Sequence, residues 1–107
     1  MIQFEFLVLP EGDLIGFRSS GHADYSQSGF DIVCAAVSSV AFYVVNTITE
    51  VLAVSPESLY SDDGFMALLL EKKDAHGCRE ILQGLKLHMV GLEEQYSEHI
   101  HVDYVEV

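Results

Sequence analysis

The sequence predicts an α+β domain in which two helices cover one face of a mainly antiparallel sheet, with the elements in the order ββαββαβ. Three observations carry this prediction: period-two alternation of apolar residues near both ends, two long segments with helical spacing, and an Asp-Gly turn between short strands. The 107 residues are enough for one hydrophobic core. A single domain over residues 1–107 is therefore expected.

The opening residues predict a β-hairpin. Apolar side chains alternate with polar ones along the first strand, at Ile2, Phe4, Phe6 and Val8. Residues 10–13 supply the turn, and residues 14–20 continue as the second strand. The Gly- and Ser-rich segment 21–30 is then expected to be a loop.

The first helix is predicted over residues 31–54. Asp31 is a favourable N-cap residue, and Ser55-Pro56 ends the helix. Apolar residues spread round nearly the whole circumference, so more than one side must be covered, and we predict a homodimer. The apolar run is short for a membrane span and contains Ser38, so no membrane association is expected.

The second half of the chain predicts a hairpin, a helix and a strand. Asp62-Asp63-Gly64 joins two short strands in a tight turn. Asp74 is expected to cap a second helix over residues 75–97, whose apolar residues recur every three or four positions. Residues 100–104 alternate again and complete the sheet.

The charge of the chain restricts its partners. It has 17 acidic and 5 basic residues, a net charge of −12. Nucleic-acid binding draws its affinity from Lys and Arg, so direct nucleic-acid binding is not expected, whereas a basic peptide would be attracted. The first residues lack the basic segment of a signal peptide, which predicts a cytoplasmic protein with free thiols.

Cys34 carries the strongest chemical signal. If Asp31 caps the helix, Cys34 lies in its first turn, where the helix dipole and unpaired N–H groups lower the pKa of a thiol. The same N–H groups can stabilise a developing oxyanion. Ser38 lies one turn further on the same helix face and can donate a hydrogen bond into the site.

His22 is the predicted base for this thiol. It follows the second strand, and the topology returns the helix start to that strand end, which makes His22 a general base or the imidazolium partner of a thiolate. Asp31 has two open roles, capping the helix or orienting His22 as a third group. A non-catalytic interpretation also stays open, because cysteines in apolar helices are commonly core residues and loop histidines are commonly solvated.

Two further groups are interpreted as structural. His99 and His101 share one face of the last strand and could bind zinc, but a solvent-facing polar strand is the preferred interpretation. Cys78 belongs to the apolar stripe of the second helix and is predicted to be a core residue. Neither a metal nor a cofactor is expected.

The pattern Gly21-His22-Ala23, then Gly29, then Asp31 to Ser38 (DIVCAAVS) resembles the signature of the bacterial ribosomal-processing cysteine protease family, Prp. The resemblance extends over nearly the whole chain. It implies that His22 and Cys34 form a catalytic dyad in a cytosolic, homodimeric enzyme, and that Gly21 is a hinge for the loop.

The implied substrate is the N-terminal extension of large ribosomal subunit protein twenty-seven, removed during ribosome maturation. We expect an acidic and aromatic groove containing Asp24, Tyr25 and Phe30 to hold this peptide in an extended form. The alternative is a non-catalytic acidic module that binds a basic ribosomal protein.

Overall fold

The computed structural model describes residues 1–21 and 30–107. Within them the chain forms five strands and two helices in the predicted order. The strands are β1 (Ile2–Val8), β2 (Leu14–Ser20), β3 (Ser58–Asp62), β4 (Phe65–Leu69) and β5 (Ile100–Glu106). The helices are α1 (Phe30–Asn46) and α2 (Arg79–Gln95). The predicted α+β class is confirmed.

The strands form one sheet in the order β3-β4-β2-β1-β5. The pairs β1–β2, β2–β4 and β3–β4 are antiparallel, and β5 pairs parallel to β1. A parallel neighbour needs a crossover connection, and α2 provides it between β4 and β5. Strands β3 and β5 are the two edges of the sheet among the described residues.

One core lies between the sheet and the helices. The predicted alternation of β1 is confirmed at Ile2, Phe4 and Phe6, which are fully buried. It is wrong at the end of the strand, where the pairing register shifts, Leu7 is buried and Val8 is only half-buried. Both helices contribute to the same cluster, α1 through Val37 and α2 through Met89, among others. This shared cluster places the two helices against one face of the sheet, as predicted.

Helix α1 continues into a π-helical turn over Thr47–Val51, in which the Leu52 N–H donates to the Thr47 carbonyl at 2.8 Å. Ala53 then adopts a left-handed conformation, with φ of 55°, so the helical segment ends at Val51, three residues before the predicted end at residue 54. The apolar segment Phe30–Val51 has the length and composition of a membrane span, with a mean hydropathy of 1.8. Its inner residues are nonetheless part of the core, which is the arrangement expected for a central helix of a folded domain.

The predicted start of α1 is wrong, because Phe30 is already helical. Asp31 therefore lies inside the helix instead of capping it. Phe30 is buried in the core, which favours its position in the helix over one in a solvent-exposed loop. Cys34 is thus at least the fifth helical residue, so its N–H pairs with the carbonyl four residues earlier.

The predicted start of α2 is also wrong. The helix begins at Arg79 instead of residue 75, after a 3-10 turn over Lys72–Asp74. The Asp74 carboxylate does not cap α2; it accepts a hydrogen bond from Lys73 at 3.2 Å. Gly77 lies between the two elements, and the high backbone entropy of glycine favours a turn there over continued helix.

Candidate active site

A cavity of about 550 Å³ lies between α1 and the β3–β4 hairpin. Helix α1 contributes residues that lie three or four positions apart and so share one helix face: Cys34, Ala35, Ser38, Ala41 and Phe42. The small side chains Ala35 and Ala41 leave room above the helix. The cavity therefore places a thiol beside a space large enough for peptide residues.

Cys34 is nearly buried, with 8% of its surface exposed, and that exposed part lines the cavity. Burial raises the pKa of the Cys34 thiol, the negative charge of Asp31 raises it further, and the N-terminal ammonium lowers it. The net effect of the described residues is to raise the pKa of Cys34, so the prediction that its helical position lowers this pKa is wrong. The physical reason is that Cys34 lies beyond the unpaired N–H groups of the first turn, while the Asp31 carboxylate remains close.

Two serine side chains share the cavity with the thiol. Ser38 is half-buried and lies one turn after Cys34, so the predicted proximity of these two side chains is confirmed. Ser19 comes from the end of β2 and is the one buried polar residue of the described chain. It faces the helices because Phe17, two residues earlier on β2, is in the core. Sequence reasoning did not identify Ser19 as a site residue.

The tip of the β3–β4 hairpin forms the opposite wall. Asp62 is held in place by two hydrogen bonds, since its carboxylate accepts from the Tyr60 hydroxyl at 3.1 Å and from the Asp63 N–H at 2.7 Å. The turn uses the predicted glycine, Gly64, at a φ of 79°. The sequence analysis identified Asp62 and Asp63 only as turn formers and expected the acidic groove at Asp24.

The remaining predicted site residues lie in different places. His22, Asp24 and Tyr25 lie outside the described residues. Phe30 is 1% exposed and stacks on the ring of His99, with centroids 5.7 Å apart. Phe30 is therefore a core residue, and the expectation that it lines the substrate groove is corrected.

Gly21 is required by the backbone at the end of β2. Its φ is 91°, and a Cβ at this position would collide with the carbonyl oxygen of Met1. Only glycine fits both constraints. The backbone immediately before His22 therefore lies directly against Met1, the residue that precedes β1.

The structure also describes the two groups interpreted as structural, Cys78 and the histidines near β5. Cys78 is fully buried in the core, as predicted. His101 lies 3.8 Å from Glu93 and 4.0 Å from Asp103. Among the residues that the structure describes, no group of three or more His, Cys, Asp or Glu side chains is arranged to hold a metal ion.

Comparisons with known proteins agree on one family. The family model for cysteine protease Prp matches residues 1–101. A ribosomal processing cysteine protease Prp of Staphylococcus aureus is 33% identical over 106 residues, covering 97% of this chain and 99% of the relative.

Solved structures give the same result. The S. aureus protease in complex with a substrate peptide superposes with a TM-score of 0.89 at 31% identity, over 98% of this chain and 100% of that one. The same S. aureus protease with a covalently linked product peptide gives a TM-score of 0.84 at 32% identity, with the same coverage.

Proposed function

The chain belongs to the Prp family of cysteine proteases, and from this premise we propose that it removes the N-terminal extension of large ribosomal subunit protein twenty-seven. Membership in a protease family favours the enzyme over a non-catalytic acidic module. The observation that carries the proposal is the position of Cys34, whose thiol borders a cavity of peptide dimensions.

We propose that Cys34 is the nucleophile. Its sulfur attacks the scissile carbonyl carbon, and the resulting oxyanion collapses with cleavage of the C–N bond to leave a thioester. Water then attacks the thioester and releases the second product. A covalently linked product peptide in the S. aureus relative is consistent with this route.

We propose His22 as the acid and base of this reaction. It protonates the leaving amine, then removes a proton from the attacking water. Chain connectivity supports the assignment: Ser19 lines the same cavity as Cys34, and His22 follows three residues later, within about 11 Å of extended chain. Because burial and Asp31 raise the pKa of Cys34, an activating partner is needed for the thiolate to form near neutral pH.

The substrate assignment is supported by charge. A ribosomal protein is basic, and this chain carries a net charge of −12. Asp62 and Asp63 bring that charge to the wall of the cavity itself. Opposite charges accelerate encounter and orient the peptide before it reaches the thiol.

We propose a cytoplasmic homodimer that binds no nucleic acid directly. Helix α1 leaves apolar side chains in solvent, with Ile32 66% and Tyr43 63% exposed. Sedimentation should give twice the mass of 11.9 kDa, and Tyr43→Glu should shift it toward the monomer. A wild-type monomer at micromolar concentration would contradict the dimer.

Incubation with the extended ribosomal protein from the same bacterium tests the function. Intact-mass analysis should show two products whose masses sum to the substrate plus one water. The Cys34→Ala variant is the control and should leave the substrate whole. If the wild-type chain leaves it whole while its Cys34 reacts normally with iodoacetamide, the substrate assignment is wrong.

A further inference from the structure

The two edge strands of the sheet, β5 and β3, differ in whether side chains accept hydrogen bonds from their outward backbone N–H groups. On β5, the outward N–H groups of Val102 and Tyr104 both have side-chain acceptors: Glu93 at 2.8 Å and Asp103 at 2.8 Å. These two residues are two apart, the spacing of groups that point away from the neighbouring strand. Side chains thus occupy the open edge of β5, a known protection against further strand pairing.

Strand β3 has no such protection among the described residues. All five of its residues, Ser58–Asp62, are exposed, and no described strand lies beyond it. Within residues 1–21 and 30–107, no side chain accepts a hydrogen bond from a β3 backbone N–H. Alternate residues of β3 therefore present backbone donors and acceptors outward, in the spacing that an added strand requires.

The end of β3 nearest the hairpin turn borders the active-site cavity. Ser61 and Asp62 belong both to β3 and to the lining of the cavity that contains Cys34. A chain lying along β3 therefore reaches the rim of the cavity that the Cys34 thiol borders. Five residues of strand span about 17 Å, enough for four or five residues of extended peptide on one side of the scissile bond.

We propose that the substrate peptide adds to the sheet as a further strand beside β3, which delivers its scissile bond to Cys34. This inference rests on the proposed function and identifies how the same site holds its substrate. Main-chain hydrogen bonds to β3 supply sequence-tolerant affinity, as in other cases of strand addition. The Asp62 and Asp63 carboxylates at the end of the strand complement a basic peptide.

Amide hydrogen exchange measured by NMR tests the proposal. The Cys34→Ala variant is mixed with a synthetic peptide that spans the N-terminal extension and its junction. Exchange should slow by roughly tenfold or more at alternate β3 amides. The amides of Val102 and Tyr104 are the internal control, because they are already hydrogen-bonded and should not change.

Two results would overturn the proposal. One is unchanged β3 exchange while peptide binding shifts the signals of Ala35 or Gly64 in the cavity. The other is protection of β3 that depends on protein concentration without any peptide, because the edge would then pair with a second copy of the chain.

A second measurement uses the wild-type enzyme and peptides with single amide-to-ester replacements, which remove one N–H donor each. Loss of one hydrogen bond should raise KM roughly three- to tenfold at every second position, with little change in kcat. A flat profile would contradict strand addition while the proposed function stands. No cleavage of the unmodified peptide would contradict both.

Discussion

Cys34 and Cys78 have similar surroundings in the sequence and different surroundings in the fold. Each lies near the start of a helix and within four residues of an aspartate, and in each case burial and that aspartate raise the pKa of the thiol. Cys34, however, reaches a cavity of about 550 Å³, while Cys78 is enclosed by the core. The difference teaches that a position near a helix start does not by itself lower the pKa of a thiol, and that access to a cavity is what distinguishes Cys34 from Cys78.

The largest effect should come from removing each sulfur in turn. Cys34→Ala should lower kcat/KM for the extended ribosomal protein by at least about a thousandfold, because the nucleophile is lost. Cys78→Ala should keep it within about threefold, since this sulfur contacts no cavity. A comparable loss of kcat/KM in both variants would contradict the claim that only Cys34 takes part in the reaction.

His22→Ala should produce the next largest effect. We expect a loss of roughly a hundredfold in kcat/KM and slower alkylation of Cys34 by iodoacetamide, because the thiolate loses its partner. Peptide mapping identifies which cysteine is modified, and Cys78 should stay unmodified in both proteins. Equal alkylation rates at Cys34 would remove His22 from its activating role.

The strands and the second hairpin were predictable from sequence, because neighbouring residues specify them. Period-two alternation defined β1, and Asp63-Gly64 defined the second hairpin. The parallel pairing of β5 with β1 joins residues about 100 positions apart, and no local pattern specifies it. The start of α2 was missed because the cap signal of Asp74 competes with the turn preference of Gly77.

The site was predictable only in part. Cys34 and Ser38 share a helix, so their proximity follows from helical spacing. Ser19 and Asp62 enter the same cavity through the sheet, which brings together strands distant in sequence. Phe30 was assigned to the substrate groove because its aromatic ring suits peptide binding, but burial against the core decides its position.

For stability, unlike activity, substitution of Cys78 should have the larger effect. Cys78→Ser should lower the free energy of unfolding by about 1–3 kcal/mol, because it buries a hydroxyl in the core. Cys34→Ser should cost less, since the cavity can hydrate the hydroxyl. Denaturant titration followed by circular dichroism measures both, and an equal cost would indicate that the two environments are alike.

The smallest effect concerns the neighbouring aspartates. Asp31→Asn removes a charge that raises the pKa of Cys34, so the midpoint of its alkylation rate should move to lower pH. Alkylation at pH 7 should then accelerate by a small factor, because Asp31 is exposed to solvent. Asp74→Asn is the matched control and should leave Cys78 unmodified at every pH. A midpoint moved to higher pH would contradict the role given to Asp31.

The most direct test of the account locates the acyl group during turnover. Wild-type enzyme is mixed with the extended ribosomal protein, quenched in acid within the first turnover and digested for mass spectrometry. We predict a thioester-linked peptide on Cys34 and none on Cys78. An adduct on Cys78, or cleavage by the Cys34→Ala variant at the wild-type rate, would contradict the central claim.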